Sequence, residues 1–244
     1  MSEDDTFEGL AATITEGYHA VQEATCLEDV YDLLDYLGDE VKHYYPHIAC
    51  KVNCPVCCKG MHQPMITAAE FELILFYLTE LPDVIQDEVV RRARYYVSMY
   101  RDALILQHNL VNNPDKYAGQ DLGGLYKTLT QSFRETSCPF LVVDRCGIYP
   151  VRPAKCRMQG NSLAKVGDDV RFNSCLPEIS SMDQYLREKG SRRLTMPLWN
   201  VFEQVVTLFN PKESMVATLP VWLITHVVGD KLTDEVNPNP SVNL

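Results

Sequence analysis

The residues best equipped for chemistry are cysteines, at Cys26, Cys50, Cys54, Cys57, Cys58, Cys138, Cys146, Cys156 and Cys175. The densest run is Cys50-Lys51-Val52-Asn53-Cys54-Pro55-Val56-Cys57-Cys58. A second group opens at Cys138-Pro139-Phe140-Leu141 and continues through Cys146-Gly147-Ile148-Tyr149-Pro150-Val151-Arg152-Pro153-Ala154-Lys155-Cys156-Arg157 to Cys175. Thiolates are soft ligands, and this density brings several within reach of one cation such as zinc or of iron in an iron–sulfur cluster. The spacing is not an ordinary pair of two-residue cysteine knuckles. Cys57 and Cys58 are neighbours, whose side chains generally point apart, so they are expected to serve different ions, or one to ligate while the other supports it.

The eight cysteines of the two runs formally make two four-thiolate sites, or one cluster with supporting thiols around it. A four-thiolate zinc site carries a local charge near −2 from its formal charges, which calls for donors and cations around it. Arg152, Lys155 and Arg157 are the candidates, against ordinary structural charge as the plainer explanation. Cys26 stands apart and reads as a small buried hydrophobe near a helix end. The six histidines, His19, His43, His47, His62, His108 and His226, make no compact metallohydrolase spacing. His62, close to the first run, is a metal-shell candidate or a turn histidine. No cysteine–histidine nucleophile pair can be assembled from spacing alone.

Helices must position these thiols. Up to Tyr45 the chain reads as helical, with Leu27, Val30, Leu33, Leu34 and Leu37 at spacings of three and four, a bend expected at Gly38 and a stop at Pro46. Residues 49–65 read as irregular loop. Thr67 with Glu70 has the form of a capping box, opening a helix to about Leu81 that Pro82 closes. A long helix follows to about His108, its Val89, Ala93, Tyr96, Val97, Tyr100 and Leu104 stripe read as core. The polar stretch 109–124 reads as a connection, and Leu125–Phe133 as a short helix. Phe140–Val143 suits a short strand, and the rest of 137–175 reads as loop with brief elements. Helices are expected over Ser181–Arg187 and Pro197–Phe209, while Pro220–Val228 fits a strand or a buried helix. The chain past Asn237 reads as a polar tail.

This yields a mainly α fold, a helical cysteine-rich domain with irregular metal-binding loops and room for a small strand element. Its expected parts are an N-terminal helical segment over 1–48, a cysteine-cluster domain over 49–180 and a helical extension over 181–244. At 244 residues and 46% hydrophobic, the chain has enough apolar sequence for a core that does not depend on metal.

Twenty-two basic and thirty-three acidic residues give a formal charge of −11, which repels phosphate backbones and anionic lipid. The basic runs Arg91-Arg92 and Arg192-Arg193 are two residues long and read as solvated surface. Nucleic acid and membrane are therefore not expected partners, and a protein with a basic surface is. The acidic start Met1-Ser2-Glu3-Asp4-Asp5 lacks the features of a secretion signal, and the longest apolar stretches, near Leu73–Leu78 and Val221–Val228, are core-sized. An odd number of cysteines without such a signal favours reduced thiols and a cytoplasmic chain.

The pattern Cys50, Cys54, Cys57-Cys58, joined to Cys138-Pro139-Phe140-Leu141, Cys146-Gly147-Ile148-Tyr149 and Arg152-Pro153-Ala154-Lys155-Cys156-Arg157, resembles the YkgJ-type cysteine-cluster family, described as zinc- or iron-chelating proteins. The resemblance spans Cys50 to Cys175, about half the chain. It implies that Cys50, Cys54, Cys57, Cys58, Cys138, Cys146, Cys156 and Cys175 form a metal-binding framework, leaving Cys26 outside. Met158-Gln159 departs from the family, where an aromatic residue commonly follows Cys-Arg. Flagellin lysine methylases share a related cysteine signature. The expected function is a metal-binding protein holding zinc or an iron–sulfur cluster. Its rivals are an iron–sulfur-dependent protein methyltransferase, for which no nucleotide-binding glycine fingerprint is visible, and a zinc-stabilised protein-interaction module.

Overall fold

The computed structural model describes residues 3–48, 50, 54–59, 63–133, 137–190 and 194–241, with side chains from residue 7 onward. In chain order its elements are α1 (Glu3–Gln22), α2 (Leu27–Tyr44), β1 (Met65–Ile66), α3 (Ala68–Thr79), α4 (Asp83–Asn112), α5 (Leu122–Ser132), β2 (Leu141–Val142), β3 (Arg145–Cys146), α6 (Ala154–Arg157), β4 (Leu163–Val166), β5 (Asp169–Phe172), α7 (Leu176–Lys189), α8 (Trp199–Leu208), β6 (Ala217–Thr218), α9 (Leu219–Thr225), β7 (Val227–Val228) and β8 (Lys231–Leu232). The fold is mainly α, and its strands pair antiparallel two by two, β1 with β6, β2 with β3, β4 with β5 and β7 with β8. No described helix is long and apolar enough to cross a membrane.

The chain divides into two compact units that interleave along the sequence. One unit holds 1–54 and 153–209, the other 55–152 and 210–244.

In the first unit α1 packs along α2, whose Leu27, Val30, Leu34, Leu37 and Val41 are buried at helical spacing. The two helices part at residues 23–26 because the Asp29 carboxylate accepts hydrogen bonds from the Thr25 hydroxyl and from the Thr25 and Cys26 N–H groups. Those bonds offer the backbone an alternative to continuing the helix. Gly38 does not bend α2, contrary to the sequence expectation. It sits inside an unbroken helix, and a Cβ there would stand 3.1 Å from Asn161 Nδ2, so the missing side chain serves close packing. Arg157 of α6 is buried, with its guanidinium 4.2 Å from the Tyr31 ring centroid and paired with Asp35. Tyr18 and Tyr45 accept N–H groups of Leu198 and Thr195 on their hydroxyls at 2.6 and 3.0 Å, fixing the approach to α8. Within the stretch read as loop with brief elements lies a hairpin, β4–β5, turning at Gly167 with φ +62°.

In the second unit the capping box opens α3 as the sequence predicts. Thr67 Oγ1 accepts from Glu70 N–H at 3.2 Å, and the Glu70 carboxylate accepts the Thr67 N–H at 3.0 Å. Leu78, Leu75, Ile74 and Phe71 of α3 join Val89, Ala93 and Tyr96 of α4 and Leu219, Val221, Trp222 and Leu223 of α9 in one apolar core. The uniformly apolar Pro220–Val228 stretch resolves into buried helix α9 followed by strand β7. Trp222 donates its indole N–H to Ile66 O at 3.1 Å, which holds β1 beside α9. His226 is buried at the end of α9, with Nδ1 2.7 Å from Trp222 O and Nε2 accepting the Asn237 N–H at 2.7 Å. That pairing fixes a neutral ring with its proton on Nδ1, and burial holds its pKa below the usual histidine value against the opposing pull of Trp222 O. Helix α4 runs to Asn112, beyond its expected end, and departs from helical geometry at Tyr100 (φ −121°, ψ 21°).

Candidate metal centre

Four of the eight sequence-predicted thiols, Cys57, Cys58, Cys138 and Cys146, belong to the second unit. Pro55 starts a single 3-10 turn in which Cys58 N–H donates to Pro55 O at 3.0 Å and Lys59 N–H to Val56 O at 3.1 Å. The Cys138 N–H then donates to Cys58 O at 2.7 Å, and Lys59 and Ser137 form an antiparallel bridge, so backbone hydrogen bonding joins the two cysteine runs. Four residues past Cys138 the chain reverses in the β2–β3 hairpin, where Leu141 faces Cys146 and Gly147 N–H returns to Phe140 O at 2.7 Å.

The hairpin turns on Val143 and Asp144, both at positive φ, +47° and +56°. Tight two-residue turns require this conformation, and a β-branched residue adopts it at a cost. Lys59 ties the turn to the first run through a 2.6 Å ion pair with Asp144. This pair and the strained turn went unnoticed in the sequence, although an aspartate next to a two-residue gap between paired runs is a turn signal.

The thiols of this set interact with one another. Cys57 is held far above the ordinary thiol range, first by its hydrogen bond to Cys58 and then by burial. Cys58 is pushed up to about 12, first by its hydrogen bond to Cys138, with burial and the neighbouring Cys138 and Cys146 adding to the effect. Burial raises Cys146 as well. Arg152 opposes the shifts on Cys57 and Cys146, and its guanidinium lies 3.9 Å from the Tyr149 ring centroid. Cys57 and Cys58 share the single 3-10 turn, and each acts on the other's thiol. Cys138 is buried, and Cys58 and Cys146 pack against the apolar core.

The other four, Cys50, Cys54, Cys156 and Cys175, belong to the first unit. Cys50 Sγ donates to Gln159 O at 3.5 Å, and a Cβ built on Gly160 would stand 3.0 Å from Cys50 Cβ and 3.1 Å from its sulfur. Gly160 has φ +83° and gives its N–H to Asn173 O at 2.8 Å, while Asn173 Nδ2 bonds Ser162 Oγ at 2.9 Å. This polar turn sets Cys50 beside the segment that links Cys156, in α6, to Cys175, the residue capping α7. Met158, the departure from the family pattern, is fully buried at the end of α6.

Of the three expected cations, Arg152 acts on Cys57 and Cys146. Lys155 lies 4.8 Å from the Trp199 ring centroid, with burial lowering its pKa and Glu203 and Cys156 opposing that shift. Arg157 is engaged with Asp35 and Tyr31 and follows the plainer structural reading. Cys26 stands at the start of α2 as expected, but it is half-buried rather than buried.

None of the nine cysteines is joined in a disulfide. Among the described residues, no three His, Cys, Asp or Glu side chains form a group that could hold a metal ion as they stand. The thiol contacts are pairwise. His62 and Arg192-Arg193 lie outside the described residues. No protein-family model, curated protein or solved structure matches this chain.

Proposed function

We propose that the chain is a metal-binding protein that holds zinc or an iron–sulfur cluster through cysteine thiolates, as its resemblance to the YkgJ-type family implies. The observation that carries this reading is the linked set Cys57, Cys58, Cys138 and Cys146. Four thiols from two distant segments interact in succession, beside an apolar core and with Arg152 as a cation. The donor set suits the group: sulfur in fours is the ligand chemistry of structural zinc and of iron–sulfur clusters. Cys57, Cys58, Cys138 and Cys146 would hold one group, and Cys50, Cys54, Cys156 and Cys175 are the candidates for another. Zinc would supply structural reinforcement, whereas an iron–sulfur cluster would supply electron transfer.

Thiols raised this far stay protonated at neutral pH, so a cation must displace protons to bind and its affinity falls as pH falls. The odd count of nine cysteines favours reduced thiols and the cytoplasm, and the −11 charge favours a partner with a basic surface. Anaerobic purification without chelator, followed by metal and acid-labile sulfide analysis with optical absorption, tests the reading. Zinc at integral stoichiometry, or iron and sulfide with visible charge-transfer bands, is expected. A fully folded protein carrying neither overturns it.

A further inference from the structure

We infer that the second unit carries a binding cleft for a small planar aromatic carboxylate, independent of any metal. The cleft has a volume of about 310 Å³, at the small end of ligand pockets, and lies between one face of α4 and the Ser137–Pro139 segment. Two adjacent rows of α4 build its wall at helical i, i+4 spacing, Arg91 with Tyr95, and Arg92 with Tyr96 and Tyr100. The sequence reading assigned Tyr96 and Tyr100 to core and the arginine pair to solvated surface.

The irregular backbone at Tyr100 allows its ring to lie 5.0 Å from Tyr96 and 5.9 Å from Phe133, while Tyr96 and Phe133 are near parallel at 6.3 Å. Phe133 is buried, so it braces these rings. A planar ring can stack or meet them edge to face. Arg91 and Arg92 share the single carboxylate of Glu88, at 2.6–2.8 Å, and Arg92 also donates to Leu141 O. Each guanidinium has five N–H donors, so these bonds leave donors over, and among the described residues two cations against one anion leave a unit of positive charge. In a chain of net charge −11 that local excess selects a monoanion, and the fork geometry selects a carboxylate. Cys138 lines the inner side of the cleft.

Titration calorimetry of the full chain with 4-hydroxybenzoate tests this, with untreated and chelator-treated protein run in parallel. Saturable binding is expected in both. The uncharged isostere 4-hydroxybenzamide and the variant Arg91→Gln should each weaken binding about tenfold. Cyclohexanecarboxylate and Tyr95→Ala should weaken it several-fold by removing one stacking partner. Arg91 and Tyr95 are exposed, so both variants should keep the wild-type circular dichroism spectrum. No saturable binding at millimolar ligand, equal affinity for acid and amide, or an unaffected Arg91→Gln would overturn the inference. Binding seen only in protein that retains metal would also overturn it, because the ligand would then be bound by the metal. A protein without metal that still binds 4-hydroxybenzoate separates this inference from the metal reading.

Discussion

The two cysteine sets are held by different neighbours. In the second unit, Cys58, Cys138 and Cys146 lie at the edge of an aliphatic and aromatic core, Cys57 and Cys58 are raised by thiol hydrogen bonds and burial, and Cys146 by burial. In the first unit, Cys50 is placed by the Gln159 carbonyl and by Gly160, and the β4–β5 hairpin separates Cys156 from Cys175. Backbone hydrogen bonds serve both sets, but thiol acts on thiol in the second unit whereas a carbonyl and a glycine hold Cys50 in the first, so the two sets should respond to different perturbations.

The largest separation should come from Cys58→Ser. It removes the thiol that contacts both Cys57 and Cys138, so metal bound by the second unit should be lost and total content should fall to roughly half where each unit holds one ion. Elemental analysis reads this, and unchanged content would break the comparison. Gly160→Ala strikes the other set. The added methyl meets Cys50 and must adopt φ +83°, which should destabilise the first unit by about 1–3 kcal/mol in chemical denaturation. An equal loss of metal from Cys57, Cys58, Cys138 and Cys146 in that variant would show that the sets are not separable.

Acid should act on the second unit through His226. Its folded pKa lies below its unfolded value, so the unfolded chain binds the extra proton first. The neutral ring's stabilisation is fully present above about pH 6.5 and is lost as pH falls from there toward the depressed value, with a slope of at most about 1.4 kcal/mol per pH unit. Protonation puts a second donor against the Asn237 N–H, so His226→Gln should flatten this part of the stability–pH curve in urea titrations. The smallest effect is a gain. Val143→Asn relieves a β-branched residue at φ +47° on an exposed turn and should stabilise by about 0.5–1 kcal/mol, read as a higher denaturation midpoint.

Legibility followed locality. The Thr67–Glu70 capping box and the Pro46 and Pro82 stops involve residues within a turn of one another, and their chemistry is complete in the sequence. Gly38 misled because a helical glycine is read as a flaw, whereas its reason lies in Asn161, more than a hundred positions away. The β4–β5 hairpin was hidden because Leu163–Phe172 has no clean alternation, its strands being half-buried to exposed. For the thiols, type and spacing identified the candidates. Their division into two sets of four depends on the Cys58–Cys138 backbone bond and on Gly160, which periodicity does not encode.

The order in which the chain is synthesised now matters. The polypeptide passes from the first unit to the second between Cys54 and Pro55, and returns between Arg152 and Pro153, so each crossing falls inside a cysteine run. On a ribosome, Cys50 and Cys54 emerge early, but Cys156 and Cys175 follow only after about a hundred more residues. Cys57 and Cys58 likewise precede Cys138 and Cys146. During translation the early thiols lack their later counterparts, so on the proposed metal-binding reading the nascent cysteines stay open to oxidants until the chain has returned to the first unit.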